Sequence, residues 1–429
     1  MGKSRSFSIG KKIVPLSLQL INSQSFNMVA TKSKKNAAKK NTSKPAYSKE
    51  MYLQWYELML RIRRFEERAL MMYGQQKIRG FCHVYIGQEA VAAGIESAIR
   101  REDAIVTAYR QHGTAIGRGL STDACMAELF GKVTGAVKGK GGSMHFFSKE
   151  HRYFGGNGIV GAQIPIGTGI AFAEKYKGTD NLCVTMFGDG ASRQGALHES
   201  FNMAMLWKLP VLYIVENNGV YGLTKGQFSA TADKGSKSKR GRANTDAPID
   251  LASLALVMGA TFVGRSFSGD KAQLVPLIRA AIAHPGAAVI DVVSPCIAFN
   301  NHSGSTKSYD YVREHNEAVN RLDFFPQREE ITAEYGEGEV TDVRQHDGSV
   351  IRLRKLHADY DATSRVSAMA YIQEHAARGE VVTGLLYVDN EAADLHKQLN
   401  TIDRALNTLG AAELCPGAAA LEKINASLR

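Results

Sequence analysis

Two short apolar runs, Leu182 to Phe187 and Val211 to Val215, do most to limit what this chain can fold into. Each is bounded by polar turns and is the length of a strand enclosed on both faces. The first stops at Gly188-Asp189-Gly190 and the second at Glu216-Asn217-Asn218. Between them Leu197, Phe201 and Ala204 or Met205 recur on one side at helical spacing, and Pro210 closes the segment. Strand, crossover helix and strand make a parallel unit, because parallel neighbours need a crossover. The expected class is therefore α/β, a mostly parallel sheet with helices on both faces. In such sheets ligands bind at the carboxyl ends of the strands, where Asp189 and Asn218 fall.

The two residues stand 29 positions apart, about one crossover unit. Magnesium is a small, hard ion that takes one or two protein oxygens together with phosphate oxygens and water. Asp189 offers a carboxylate, Asn218 an amide oxygen, and the turn beyond them the main-chain carbonyl of Val220. The flanking glycines let a diphosphate approach the backbone without meeting a Cβ. A lone Gly-Asp-Gly would more simply be a helix cap; paired with Asn-Asn at this distance, it points to a metal–diphosphate site.

A chain of 429 residues has room for one large α/β domain with appendages, or for two domains. Residues 1–45 carry ten basic and no acidic side chains, so they account for nearly all of the net charge of +11. The remainder is close to neutral, and no nucleic-acid groove is implied. The basic segment, rich in Ser, Asn and Lys, is expected to be disordered, with an organellar transit peptide as the alternative. No apolar run is long enough for a membrane span. The five cysteines are scattered, odd in number and never spaced as CxxC, which suits free thiols and leaves no zinc or iron–sulfur spacing.

Upstream, Glu50 to Tyr73 reads as a long helix, and Ala104 to Ala108 as a short strand ending at Tyr109-Arg110. Arg110 could form a surface ion pair, but a bidentate guanidinium at a strand end suits a phosphate. Lys138 to His145 reads as a flexible basic loop, and Gln163 to Tyr176 as a helix. Gly156-Asn157-Gly158-Ile159-Val160-Gly161 fits GxGxxG, but residues 151–154 do not read as a buried strand, so a dinucleotide fingerprint is set aside. The glycine-rich stretch from Gly135 lacks the GK[ST] of a nucleotide loop, and both NAD and ATP are rejected. Downstream, Thr224 to Asp246 is either a loop over the diphosphate or a solvated loop. Helices are expected over Ile249–Met258, Leu274–His284, Arg365–Ala377 and Asp389–Leu406. Strands are expected over Thr261–Ser266 and Ala287–Val293, with a hairpin from Asp342 to Leu356 around Asp347-Gly348.

The GDG and NN turns together resemble the motif of thiamine-diphosphate enzymes. From about Tyr47 to Gly219, Gly80-Phe81-Cys82-His83, Tyr109-Arg110-Gln111-His112-Gly113 and Gly156–Gln163 sharpen the likeness. Over that stretch the chain resembles the alpha subunit of the decarboxylating component of the pyruvate dehydrogenase complex. The resemblance implies that Tyr109 and Arg110 contact the cofactor, with Arg110 on its diphosphate. Gly158 and Val160 would lie along its rings, and His83 would face the 2-oxo acid. Asp189, Asn218 and the carbonyl of Val220 would hold Mg²⁺, with Gly190 and Ala191 beside the diphosphate. Beyond Gly219 the likeness changes: Tyr221 to Thr231, YGLTKGQFSAT, resembles the YGxTxGQxSPT of the beta subunit of 2-oxoacid:ferredoxin oxidoreductases, with Ala230 in place of proline. Neither the HGHS loop of the first family nor the cysteine-rich motif of the second is present. The chain thus resembles a hybrid joined inside the shared Asn-Asn turn.

Together these likenesses imply a thiamine-diphosphate-binding fold, with a tail over 1–45, a cofactor domain over 46–325 and an interface-forming extension over 326–429. The implied activity is oxidative decarboxylation of a 2-oxo acid, pyruvate first, with thiamine diphosphate and Mg²⁺. A partner subunit would supply the glutamate that activates the cofactor, in a hetero-oligomer with two copies of each chain. A lipoyl acyltransferase component would take the product; nucleic acid and membrane are not expected partners. The alternatives are a ferredoxin-linked beta subunit and an inactive hybrid that only binds cofactor. A bacterial cytoplasm is the expected location, with the mitochondrial matrix as the alternative.

Overall fold

Strands β1 (Ala104–Ala108), β2 (Tyr153–Asn157), β3 (Cys183–Gly188) and β4 (Val211–Asn217) come from the first half of the chain. A small antiparallel hairpin follows, β5 (Val220–Tyr221) with β6 (Gln227–Phe228). Then come β7 (Phe262–Phe267), β8 (Ala288–Val293), β9 (Asn316–Ala318), the paired β10 (Val340–Arg344) and β11 (Val350–Arg354), and β12 (Val381–Val388). This computed structural model describes residues 48–428 apart from 223, 321, 323–339, 345–349, 355–356, 358–359, 390, 403, 405 and 416. The basic segment 1–45 lies outside the described residues.

Among the described residues one eight-stranded sheet runs β2-β1-β3-β4-β8-β7-β12-β9. Neighbours from β2 through β7 are parallel, and β12 pairs antiparallel with β7 and parallel with β9. The side chains of β4 are buried along its whole length, as expected for a parallel strand covered on both faces. Leu212 and Ile214 join Val184, Met186 and Ile290 in one core. Tyr213 and Val215 join Phe187, Val263 and Val289 in the other. Fully burying each such aliphatic side chain contributes about 1.5–3 kcal/mol.

Helices α1 (Lys49–Gly74), α2 (Glu89–Glu96), α3 (His112–Arg118) and α4 (Thr122–Leu129) cover the first core. Helices α5 (Gln163–Lys177), α6 (Gly195–Leu206) and α7 (Leu251–Val257) cover the second. The first layer is completed by α8 (Lys271–Ala283). Beyond α9 (Tyr309–His315), the second is completed by α10 (Arg365–Ala377). Capping sets several starts: Ser48 accepts from the Met51 amide at 3.3 Å, and Asp250 from Ser253 at 2.7 Å. Asp270 starts α8 three residues earlier than Leu274, and Pro276 lies inside that helix. At Gly167 a Cβ would meet Thr185 Oγ1 at 1.8 Å, so glycine there lets α5 settle directly on β3.

Four expectations need correction. Residues 153–157 form a strand, although 151–154 did not read as one. Val381–Val388 is a strand inserted into the main sheet, where none was expected. The helix expected over Asp389–Leu406 is not formed. Among the described residues of that range, Leu395–Gln398 alone is α-helical, started by the Asp394 cap, and Asn400 follows at φ +50°, which ends it. Lys138–His145 is not a loose loop, for a reason that belongs to the site. The antiparallel pairing of β10 and β11 agrees with the expected hairpin, whose turn at 347–348 lies outside the described residues. A division at 325 would run through the main sheet, since β9 and β12 pair across it. All five cysteines are free. No helix among the described residues is long and apolar enough to cross a membrane.

Candidate functional site

The chain leaves β1 toward β2 on one side and leaves β3 toward β4 on the other, so the strand order switches between β1 and β3. Arg110 follows the end of β1, Asp189 the end of β3 and Asn218 the end of β4. These are three adjacent, parallel strands, and their carboxyl ends share one edge of the sheet. The sequence argument placed the site at this edge.

Asp189 is 2 % exposed. Its Oδ1 accepts from the Asn218 amide at 3.2 Å, and its Oδ2 accepts from Thr231 Oγ1 at 2.9 Å and from Ser229 Oγ. Burial nevertheless pushes its carboxyl up from the ordinary aspartate range, against the pull of those three donors. Among the described residues no basic side chain forms a salt bridge with it. A buried carboxylate in that condition is best stabilised by a cation. One of its roughly four lone-pair positions is still open. Asn218 Oδ1 accepts from the Val220 amide at 3.0 Å, and Asn300 Nδ2 holds the Asn218 carbonyl at 2.7 Å. Gly219 makes the turn at φ +71°. The donor set is a carboxylate, an amide oxygen and the nearby peptide of Val220, all hard oxygens, and it fits Mg²⁺. Gly190 leaves room for the Tyr221 ring, which a Cβ there would meet at 2.6 Å. Ala191 is buried and opens a short 3₁₀ turn through Arg193.

A second line of contacts runs behind Asp189. Thr231 Oγ1 also bonds Asn217 Oδ1 at 3.0 Å, and Asn217 Nδ2 donates to Asp291 at 3.1 Å. Asp291 accepts from buried Arg265 at 2.9 Å, and Arg265 also pairs with the helix-capping Asp250. Arg265 is thereby shared between two carboxylates, and the Asp189 carboxylate is held from behind through Thr231 and Asn217.

On the opposite face, His83 is 7 % exposed, and its ring lies 4.4 Å from that of Tyr109. Burial, then the nearby Arg110 and His112, drive the His83 imidazole down to about 4, so it is neutral near pH 7. Arg110 Nη1 donates to the Val84 carbonyl, and Nη2 lies 3.6 Å from where a Cβ on Gly222 would be. Arg110 thus reaches across the edge toward the β5–β6 hairpin. Glu216, one residue before the Asn-Asn pair, accepts from Tyr85 Oη at 3.0 Å; burial pushes its carboxyl up to about 7. Val160 is 42 % exposed and Ile159 78 %, an apolar tip left open beside Gly158.

The loop expected to be loose is organised by one buried carboxylate. Glu128 accepts four main-chain N–H bonds, from Val137 and Gly139 at 2.9 and 2.8 Å and from Gly141 and Gly142 at 2.6 and 3.2 Å. Its end delivers Ser143, whose Oγ accepts from the His83 amide at 2.9 Å and bonds His112 Nε2 at 2.9 Å. His112 is in turn held by buried Glu66 at 3.0 Å. Sequence reasoning missed Glu128, Ser143, His112, Glu66, Ser229 and Thr231. The acid and its glycines carry a spacing signal only in retrospect, and the long-range hydroxyl contacts carry none.

The GxGxxG stretch begins within β2 and leads into α5, but its placement differs from a dinucleotide turn. The first glycine, Gly156, lies inside β2, an outermost strand. The acid about twenty residues on, Glu174, lies near the end of α5 bonded to Arg152 at 2.6 Å, not at the carboxyl end of a next strand.

Sequence comparison finds relatives for the first half. Residues 57–247 match the family model described as "Dehydrogenase E1 component". The "Pyruvate dehydrogenase E1 component subunit alpha" of Rhizobium meliloti is 50% identical over 218 residues, 48% of this chain and 63% of that protein. Its counterpart in Rickettsia bellii is 55% identical over 170 residues, 40% of this chain and 52% of that one. The mitochondrial counterpart in Dictyostelium discoideum is 54% identical over 185 residues, 43% of this chain and 48% of that one. The chain therefore spans between about half and under two thirds of the length of these relatives. A solved "2-oxoglutarate:ferredoxin oxidoreductase from Magnetococcus marinus" covers 82% of this chain and 94% of its own at 18% identity and TM-score 0.49, too slight a likeness to argue from. The resemblance of the first half to pyruvate dehydrogenase alpha subunits is borne out.

Proposed function

We propose that this chain binds thiamine diphosphate and Mg²⁺ at the carboxyl edge of β1, β3 and β4, and serves as the alpha-like subunit of a pyruvate dehydrogenase decarboxylating component. One observation carries the reading. Arg110, Asp189 and Asn218 come from three strand ends that lie side by side, inside residues 57–247, which match the dehydrogenase E1 family model. Asp189, Asn218 and the Val220 carbonyl would hold the metal. Arg110 and Tyr109 would contact the diphosphate, with Gly190 and Ala191 beside it. Gly158 and Val160 would lie along the rings.

When bound, thiamine diphosphate supplies the carbanion that adds to the 2-oxo carbon and the electron sink for decarboxylation. The chain's own residues bind and orient. A neutral His83 ring tilted against Tyr109 offers a hydrogen bond to the carboxylate or ketone of the 2-oxo acid without adding charge. Arg110 brings the fixed positive charge that a diphosphate needs. The activating glutamate is assigned to a partner subunit, so the chain alone is expected to bind cofactor and turn over slowly or not at all. The exposed apolar tip at Ile159 and Val160 suits a site completed by another chain, and the C-terminal extension is assigned to an interface.

A second reading rests on the β5–β6 segment, whose Ser229 and Thr231 close on Asp189: a ferredoxin-linked subunit would share this cofactor site and differ in its electron acceptor. The deciding experiment supplies the chain with a candidate beta subunit, pyruvate, Mg²⁺ and thiamine diphosphate. Reduction of an artificial acceptor, followed by preference for lipoamide, supports the proposal. Preference for ferredoxin supports the second reading, and no reduction with either partner set supports an inactive hybrid.

A further inference from the structure

We propose that His145 is a second histidine of this site, presenting Nε2 as a hydrogen-bond acceptor to the cofactor; this rests on the cofactor reading above. His145 Nδ1 lies 3.0 Å from the Gly156 carbonyl. A carbonyl only accepts, so Nδ1 carries the hydrogen, which leaves Nε2 as the ring nitrogen able to accept. Nε2 has no hydrogen-bond partner among the described residues, and the side chain is half-buried. The same ring edge faces Gly158: a Cβ built there would lie 3.1 Å from both Cε1 and Nε2. Glycine at 158 therefore leaves the imidazole edge open at the surface assigned to the cofactor rings.

The position is held, not incidental. His145 ends the loop that Glu128 ties down through four amides, and a Cβ on Gly141 would meet the His145 carbonyl at 2.1 Å. Two residues earlier the same loop bonds the His83 amide through Ser143. One rigid loop thus sets the spacing between His83 and His145.

The test uses the full chain. Diethyl pyrocarbonate acylates unprotonated imidazole nitrogens, and peptide mapping reads each histidine separately. His145 is expected to be modified, and Mg²⁺–thiamine diphosphate to slow that modification at least tenfold, while exposed His198 on α6 is modified at an unchanged rate. Calorimetry then compares wild type with His145→Asn, whose side-chain amide keeps a donor to Gly156 and removes Nε2. About tenfold weaker cofactor binding, with an unchanged melting temperature, supports the proposal. Cofactor binding that leaves His145 unprotected, or an Asn variant that binds like wild type, overturns it and leaves the cofactor reading standing. Absence of cofactor binding to wild type in calorimetry overturns both.

Discussion

The stretch from Ser48 to Gly219 and the stretch beyond it contribute to the same edge of the sheet in different ways. The first brings the charged and ring groups: His83, Tyr109, Arg110, Asp189 and the amide of Asn218. The second brings groups that hold them, among them Ser229 and Thr231 on Asp189, Asn300 on the Asn218 carbonyl, and Asp291 with Arg265 behind Asn217. Reactive groups sit on short motifs that survive as sequence signals. Supporting groups are chosen by distance in space, and the chain can draw them from any segment that packs there. The two stretches are stitched by hydrogen bonds across the Asn-Asn turn as well as by the shared sheet.

The comparison can be broken by removing one member from each side. Asp189→Ala takes out the anchor itself and is expected to weaken Mg²⁺–thiamine diphosphate binding about 100-fold or more in calorimetry, close to 3 kcal/mol. Equal affinity would remove the site assignment. Glu216→Gln comes next and is read in stability rather than binding. The Glu216 carboxyl is raised in the folded state to about 7 from an unfolded value near 4.5, so its contribution is full below the unfolded value and is lost as pH rises through 7. Denaturant titrations from pH 5 to 8 should show wild type losing up to about 3 kcal/mol relative to the glutamine variant, at about 1.4 kcal/mol per pH unit. Parallel curves would mean that Glu216 is already ionised across this range.

Arg110→Lys keeps the charge and loses the planar fork. A loss of about tenfold in affinity for thiamine diphosphate, with little change for thiamine itself, is expected; an equal loss for both would place Arg110 away from the phosphates. The smallest effect belongs to the supporting side. Thr231→Val keeps the shape and removes a neutral hydroxyl worth about 1 kcal/mol, so cofactor binding should weaken about fivefold. No change would mean that the second stretch only fills space beside Asp189.

Much of the central sheet was legible because β3, β4 and β8 are buried on both faces and so read as unbroken apolar runs. Where burial is uneven, the reading failed. β2 carries Tyr-Phe-Gly-Gly-Asn, two glycines and an amide, which resemble a turn; tertiary pairing with β1 makes it a strand. β12 was missed although Val381–Val388 is apolar, because it joins the sheet antiparallel after a long excursion and no crossover unit announces it. Asp389–Leu406 has helical composition but is interrupted at Asn400. Within the candidate site, spacing pointed to Asp189 and Asn218, and the family resemblance to Tyr109 and Arg110. Neither pointed to the Glu128 cradle or the Glu66–His112–Ser143 chain, since these join side chains to groups that only folding brings together.

Replacing Mg²⁺ by Mn²⁺ in crystals grown with thiamine diphosphate, and locating the ion by its anomalous scattering, tests the account most directly. The expected peak lies between the Asp189 carboxylate, the Asn218 side-chain oxygen and the Val220 carbonyl, at ordinary metal–oxygen distances of about 2.0–2.2 Å. A peak bound to other residues, or a cofactor seated with no ion between those two strand ends, would contradict it.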